Sequence, residues 1–253
     1  MSRAALVLAT RVVGLAGLVL VLEGLCRFGV IRPMTMIAPS AMLVETVSLV
    51  GSGEITADIV QTVGEVVAAC AVSVLAGFGL GVLIHRRTRL RQALAPVLAS
   101  WYAVPFFVFY PLLVALFGLN ALPLVAIGVV LALPAMMLST LAGLDRMPRV
   151  LRLVARVHRL SAVQEAWRIT LPAAAPSLFT GLKLSFAYSF IGVIAGEFIL
   201  SGRGLGFGIA YAYESFETRK MYGLMLLVLL LAVGVNGALH AWEGRLASRQ
   251  VRS

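Results

Sequence analysis

The stretch that decides the fold is Gln92–Leu144, QALAPVLASWYAVPFFVFYPLLVALFGLNALPLVAIGVVLALPAMMLSTLAGL, 53 consecutive residues with no Asp, Glu, Lys, Arg or His. The hydrocarbon core of a bilayer takes about 20 apolar residues per helix, so the run is too long for one span and long enough for two. Gly118-Leu-Asn-Ala-Leu-Pro123 holds the breakers that a hairpin between them requires. The rest of the chain agrees: 60% of its 253 residues are apolar, 13% are charged, and mean hydropathy is +0.98. A soluble domain is about 45–50% apolar and about 25% charged, so a water-soluble fold could not cover this much apolar surface. Disorder needs low hydrophobicity and dense charge, and is excluded on the same ground. The polar–apolar alternation of membrane β-strands is absent from the sequence. The expected fold class is all-α integral membrane.

Outward from that stretch, six spans are expected at about residues 5–25, 59–84, 93–117, 122–143, 177–200 and 221–242, with residues 1–253 forming a single transmembrane domain. Arg11, Glu23 and Arg27 punctuate the first span, and Arg11 can snorkel to the near interface. Between spans one and two, Pro39-Ser40 opens a short capped amphipathic helix, and Gly51-Ser-Gly53 marks a turn. Neither a cleaved signal peptide nor a lipoprotein box is expected, because Arg11 interrupts the first apolar run and Leu25 is too large before Cys26. Cys26 and Cys70 do not suggest a structural disulfide.

A net charge of +10 would suggest nucleic acid in a soluble protein. Here the placement of the charge explains it. Fifteen basic residues fall in the N-terminus, the loops after spans two and four, and the C-terminus; five fall on the other side, and Lys183 lies within span five. Basic residues collect on the cytoplasmic side, so both termini are expected there, and no nucleic-acid partner.

No catalytic constellation stands out. His85, His158 and His240 sit near expected cytoplasmic ends without metal-ligand spacing, so no metal or cofactor is expected. Gly77-Phe-Gly-Leu-Gly81 and Gly202-Arg-Gly-Leu-Gly-Phe-Gly208 lack the spacing of nucleotide-binding loops. The only lysines, Lys183 and Lys220, follow leucine and arginine, so no phosphate-binding loop exists and any ATP-driven step needs a second subunit. The glycines suit close helix packing instead: Ala69, Ser73, Gly77 and Gly81 recur every four residues. On span five, Ser185, Ser189, Gly192 and Gly196 share a face near Tyr188, which reads either as packing or as the lining of a pathway.

The segment from Asp145 to Leu171 is far longer than a hairpin needs. Val150, Leu151, Val154, Val157 and Leu160 recur at helical spacing, with Arg149, Arg152, Arg156 and Arg159 on the other face. Ser161 can cap a second helix, Ala162–Ile169, ended by Leu171-Pro172. Two readings stand: a basic helix lying on anionic lipid, or a docking element for a cytosolic partner.

These residues carry a resemblance. The segment resembles the cytoplasmic "EAA" loop, E-A-A-x-x-x-G-x(9)-x-x-L-P, of the membrane permease subunits of binding-protein-dependent ABC importers, type I fold. Its alanine pair falls on Val154-Ala155, and Ser161, Gln164, Arg168, Leu171-Pro172-Ala-Ala-Ala-Pro176 and Gly181-Leu-Lys183 match in register. The family's glutamate falls on Leu153 and its glycine on Arg159. Gly196-Glu197-Phe with Ser201-Gly-Arg-Gly-Leu-Gly206, and the proline-broken third span Trp101–Phe117, are similar to the nitrate/sulfonate/taurine-type branch; the likeness runs from about Pro39 to Glu243.

The resemblance implies a six-helix core with cytoplasmic coupling helices in a bacterial inner membrane. It also implies a second permease copy (a homodimer), two cytosolic ABC ATPases, and a periplasmic or lipid-anchored solute-binding protein delivering a small anionic solute. Coupling to the ATPase would fall on Ala155, Arg156, His158, Arg159, Leu160, Ser161, Ala162 and Glu165. Trp101, Tyr102, Phe106, Phe109, Ser185, Tyr188 and Ser189 are candidates for lining or gating the pathway, and Glu197 joins them as an ionisable residue at membrane depth. Prolines 105, 111, 123 and 134 can free backbone carbonyls, acceptable only where protein or a cavity faces them. A stand-alone carrier or channel is the competing reading; it predicts more intramembrane ionisable residues than Glu65, Lys183 and Glu197.

Overall fold

The structure is a computed structural model that describes residues 3–148, 150–151, 153, 157–158 and 160–250. Its elements are helices: α1 (Arg3–Arg27), α2 (Pro39–Ser52), α3 (Thr56–Arg86), α4 (Thr88–Ser100), α5 (Tyr110–Phe117), α6 (Ala121–Asp145), α7 (Ala162–Glu165), α8 (Leu171–Leu200), α9 (Leu205–Glu214) and α10 (Thr218–Gln250). Among the described residues, four stretches are long and apolar enough to cross a membrane: Thr56–Arg86, Ala121–Asp145, Ala166–Ile199 and Thr218–Arg245. The pair Thr88–Ala103 and Phe106–Phe117, bent by 83°, makes a fifth if it counts as one broken span. The described residues thus form an all-helical structure with four or five apolar spans. The expected first span is the 25-residue α1, which is not among these five.

Helix α6 is the centre of the bundle, packed along its length on α3 and α8. In lipid there is no hydrophobic drive between helices, so association depends on close approach and dispersion. Small residues permit that approach here. A β-carbon on Gly128 of α6 would stand 2.8 Å from Ala69 Cβ of α3, and one on Gly192 of α8 would stand 2.8 Å from Gly128 Cα. Gly81 would meet Thr140 Cβ at 2.7 Å, and Gly181 would meet Ser139 Cβ at 2.7 Å. The four-residue repeat of small residues on α3 is therefore a packing face. Ala69, Ser73, Gly77 and Gly81 are all buried.

The hairpin between α5 and α6 falls where the breakers predict. Gly118 takes φ +81°, and Asn120 caps α6 by accepting the Leu122 N–H at 2.8 Å. Helix α2 starts at Pro39 as expected, but Ser40 does not cap it. The Ser40 N–H and hydroxyl both donate to Glu23, at 2.9 and 2.6 Å, and so tie α2 to α1. A larger departure follows the charged segment. Leu171-Pro172 ends no helix, because Ala166–Thr170 forms a π-helical turn that runs directly into α8. The Leu171 N–H reaches back five residues to Ala166 O, and this wider π turn accommodates Pro172 at the second position of α8.

Helix α9 was not expected from sequence. Its first amides are satisfied by side chains from other helices. Glu197 Oε2 of α8 accepts the Gly206 N–H at 2.8 Å, and Thr62 Oγ1 of α3 accepts the Leu205 N–H at 3.0 Å. Asp58 accepts the Gly204 N–H at 3.0 Å, and the Thr62 hydroxyl donates in turn to Glu197 Oε1 at 2.8 Å. A carboxylate at a helix N-terminus meets unpaired N–H groups and the positive end of the helix dipole. Gly204, at φ +101°, is required twice over: its backbone is left-handed, and any β-carbon there would strike the Glu197 carboxylate.

Three outcomes are expected. Gly128→Ala should lower the thermal midpoint in detergent or nanodiscs by the equivalent of about 1–3 kcal/mol, the usual cost of overpacking. Gly234→Ala, at a site with nothing within 4 Å of a new β-carbon, should be neutral or slightly stabilising. Replacing Glu197 by Ala should cost about 2–4 kcal/mol, since it strands the Gly206 N–H and the Thr62 hydroxyl, and a buried polar group left without its partner costs about 1–3 kcal/mol. It should also make the Ser201–Gly204 loop protease-sensitive before the bundle unfolds.

Candidate functional site

The pathway candidates gather where α4 breaks. Trp101–Ala103 and Phe106–Phe109 are short 3₁₀ turns on either side of Val104-Pro105. The Trp101 indole N–H donates to Val130 O of α6 at 3.0 Å. That carbonyl is the one left without an intrahelical partner by Pro134, which has no N–H to return to it. Trp101 thus satisfies a backbone group freed at membrane depth, and its ring leans on Phe106 at 5.1 Å between centroids. Tyr102 stacks on Tyr188 of α8 at 4.8 Å and 20°. Tyr102 and Phe109 remain exposed, whereas Trp101, Phe106 and Tyr188 are half-buried.

The other candidates on α8 are closed off from solvent within this chain. Ser185 donates to Ala132 O of α6 at 3.3 Å, and Ser189 is fully buried with its hydroxyl unpartnered. Glu197 is buried and spent on Thr62 and Gly206. The structure therefore pairs Trp101 with Phe106 and Tyr102 with Tyr188, sets Ser185 and Ser189 against α6, and holds Glu197 further along α8 between α3 and α9.

Within the charged segment, Ala155, Arg156 and Arg159 lie outside the described residues, and for Ala162 only its place at the start of α7 is described. Ser161 and Gln164 form a reciprocal cap: Gln164 Oε1 accepts the Ser161 N–H at 3.0 Å, and Ser161 Oγ accepts the Gln164 N–H at 3.3 Å. The expected cap at Ser161 is therefore present. His158 is exposed, and Leu160 and Glu165 are half-buried. Trp167, which the sequence reading passed over, is 70% exposed, and Val150, Leu153 and Val157 are exposed as well. Between the ends of α3 and α6 and the start of α8 lies a cavity of about 490 Å³, walled by Phe78, Val82, Leu144 and Leu178, with His85 and Trp167 also lining it.

Two ion-pair clusters escaped the sequence reading. Arg91 binds Asp145 through both guanidinium nitrogens, at 2.9 and 2.7 Å, with His85 Nδ1 3.3 Å from the same carboxylate. The cluster joins the ends of α3, α4 and α6, but its exposure limits its worth to about 0–1 kcal/mol. Lys183 of α8 pairs with Glu243 of α10 at 2.6 Å. The available signal was opposite charge at the same end of neighbouring spans.

The geometry can be set beside known proteins. Residues 73–252 match the family described as "Binding-protein-dependent transport system inner membrane component". The chain is 31% identical over 178 residues to a nitrate import permease protein of Leptolyngbya laminosa, covering 70% of this chain and 62% of the relative. It is 25% identical over 221 residues to the taurine transport system permease protein of Escherichia coli, covering 85% and 80%. It is also 25% identical over 167 residues to a bicarbonate transport system permease protein of Synechococcus elongatus, covering 65% and 59%. The match to the nitrate permease thus spans somewhat under two thirds of that relative's length. With well over half of its length matched, this chain belongs to the family of inner-membrane components of binding-protein-dependent transport systems, among the ABC importer permeases of the nitrate/sulfonate/taurine branch.

Proposed function

We propose that the chain, as one permease domain over residues 1–253, is the translocation subunit of an ATP-driven importer for a small anionic solute. Helix α1 is the sixth span, both termini and the segment 145–171 face the cytoplasm, and a second copy completes the path. Two ABC ATPases bind below, and a solute-binding protein delivers cargo from outside. The observation that carries this reading is the family match over residues 73–252, which includes the whole charged segment. Nitrate, bicarbonate and taurine in the relatives' names support a small oxyanion or sulfonate as cargo. The distribution of basic residues supports the orientation.

The mechanism follows from parts of this chain. Val150, Leu153, Val157 and Trp167 are apolar, exposed and interspersed in sequence with basic residues, which suits docking to a soluble partner. Aromatic anchors of this kind dominate interface energetics. Closure of the ATPases on ATP pushes this segment, and the two permease copies rock against each other. The path between the copies is lined by the broken span, with Tyr102 and Phe109 foremost and Trp101, Phe106 and Tyr188 holding them. Ser185 and Ser189 support that wall against α6, with Glu197 further along α8. Coupling runs through residues 155–165, where the Ser161–Gln164 cap fixes the start of α7.

Co-purification with the ATPase tests the reading. Trp167→Ala should reduce the ATPase retained per permease by roughly tenfold, the loss expected of an interfacial anchor worth about 1.4 kcal/mol or more. Removal of Arg152–Arg168 should abolish retention while the permease still reaches the membrane. Undiminished retention in both variants, or labelling that places the segment outside the cell, would overturn it.

A further inference from the structure

At the end of the bundle opposite the charged segment, a second cavity of about 420 Å³ lies among α3, α5, α6 and the loop after α8. Gln61, Tyr110, Asn120, Ser201, Gly202 and Arg203 give it a polar lining, and its lining contains a single cation and no carboxylate. None of the acids nearby lines the cavity: Asp58 and Glu197 hold the amides of Gly204 and Gly206, and Glu65 accepts from the Gln61 side chain through Oε1 at 3.1 Å, its Oε2 buried and without a hydrogen-bond partner.

Most polar groups of the lining are likewise spent on their own surroundings. Asn120 accepts from the Leu122 N–H and donates to Phe117 O. The Ser201 hydroxyl donates to Arg203 O at 2.7 Å and accepts the Arg203 N–H at 3.2 Å, which fixes the backbone of the loop. What is left uncommitted is the Arg203 guanidinium, which has no hydrogen bond or ion pair among the described residues, and the neighbouring Gly202 N–H. A guanidinium presents parallel N–H groups that match the two oxygens of a carboxylate, nitrate or sulfonate edge. One such cation, with no second charge behind it, binds weakly. That suits a site that must release what it takes, since conduction fails where binding is too tight.

We infer that this cavity is a transient site for a small oxyanion, held by Arg203 on its way from the solute-binding protein to the membrane path. The inference deepens the function proposed above and rests on it.

The test uses the full chain in nanodiscs, with Cys26 and Cys70 replaced by alanine and Leu119→Cys as reporter. Leu119 lines the cavity and is 71% exposed, so a thiol there is reachable. Two methanethiosulfonates of similar size are compared, one bearing an ethylsulfonate and one an ethyl-trimethylammonium. With Arg203 present, the anionic reagent should be favoured relative to a free thiol. Arg203→Gln should lower that preference by about fivefold, the effect of one nearby cation on a partly screened site. Arg203→Lys should restore part of it. Nitrate or ethanesulfonate at tens of millimolar should slow labelling in the Arg203 protein and not in Arg203→Gln. Equal reagent preference in all three proteins, or no protection by either anion, would overturn the inference. The labelling uses neither ATPase nor binding protein, so its failure is a separate result from failure of ATPase docking.

Discussion

Everything in this bundle depends on how closely α6 can be approached. Lipid offers apolar helices no reason to leave it for one another, so contact distance decides which helices belong together. Along α6 and α8 the close approach is made at three points where at least one partner is glycine. The pairs Gly128–Gly192, Ser139–Gly181 and Gly143–Ser177 lie where a β-carbon, or one more carbon, would collide. Gly77 and Gly81 do the same for α3 against Met136 and Thr140. The three helices therefore form one close-packed slab. The broken span α4–α5 lies on it with fewer contacts and leaves Tyr102, Val108, Phe109 and Leu112 exposed.

A second constraint acts on that slab. Backbone groups inside a bilayer need partners from the protein itself. Pro134 breaks the rule at Val130 O, and the Trp101 indole restores it from another helix. The first amides of α9 break it again, and Glu197 and Thr62 restore it. In both places a polar side chain at membrane depth has a structural task that its chemistry alone would not disclose. Glu197, an intramembrane carboxylate and so a functional suspect, is occupied in holding a loop. Trp101, an aromatic in a broken span and so a candidate gate, is fastened to α6.

The four apolar spans and the broken fifth were legible because each is a long apolar run ended by charge or by Gly and Pro; the α5–α6 hairpin at Gly118–Pro123 needed nothing more. The cap at Ser161 was legible for a similar reason, since Ser and Gln three residues apart satisfy each other locally. What could not be read depends on register between distant helices. Trp101 and Val130 are 29 residues apart and meet only once α4 lies on α6. Helix α9, with the sequence LGFGIAYAYE, has two glycines and weak helical preference, and stands because caps reach it from α3 and α8. The proline at 172 misled for a different reason. It breaks a regular helix already under way, but the wider π turn at Ala166–Thr170 accommodates it at the second position of α8.

That π turn bears on how force would travel. It makes α7, the turn and α8 one continuous element from the Ser161 cap to Glu197, and α8 alone is about 45 Å long at 1.5 Å per residue. A displacement applied near Trp167 therefore enters the membrane without a loop to absorb it. Since α8 is locked to α6, and α6 to α3, it cannot tilt alone, so the whole slab must turn. At the far end the Glu197–Thr62 clasp fastens the Ser201–Gly204 loop, and with it Arg203, to that same slab. The broken span, joined less tightly, is the part free to lag behind. Relative motion between slab and broken span falls where Tyr102 stacks on Tyr188 and where the cavity beneath Arg203 opens between α5 and α6. On the function proposed above, a push at one end of α8 would alter the Tyr102–Tyr188 stack and the cavity beneath Arg203 together, because both lie where the broken span or its loop meets the same slab.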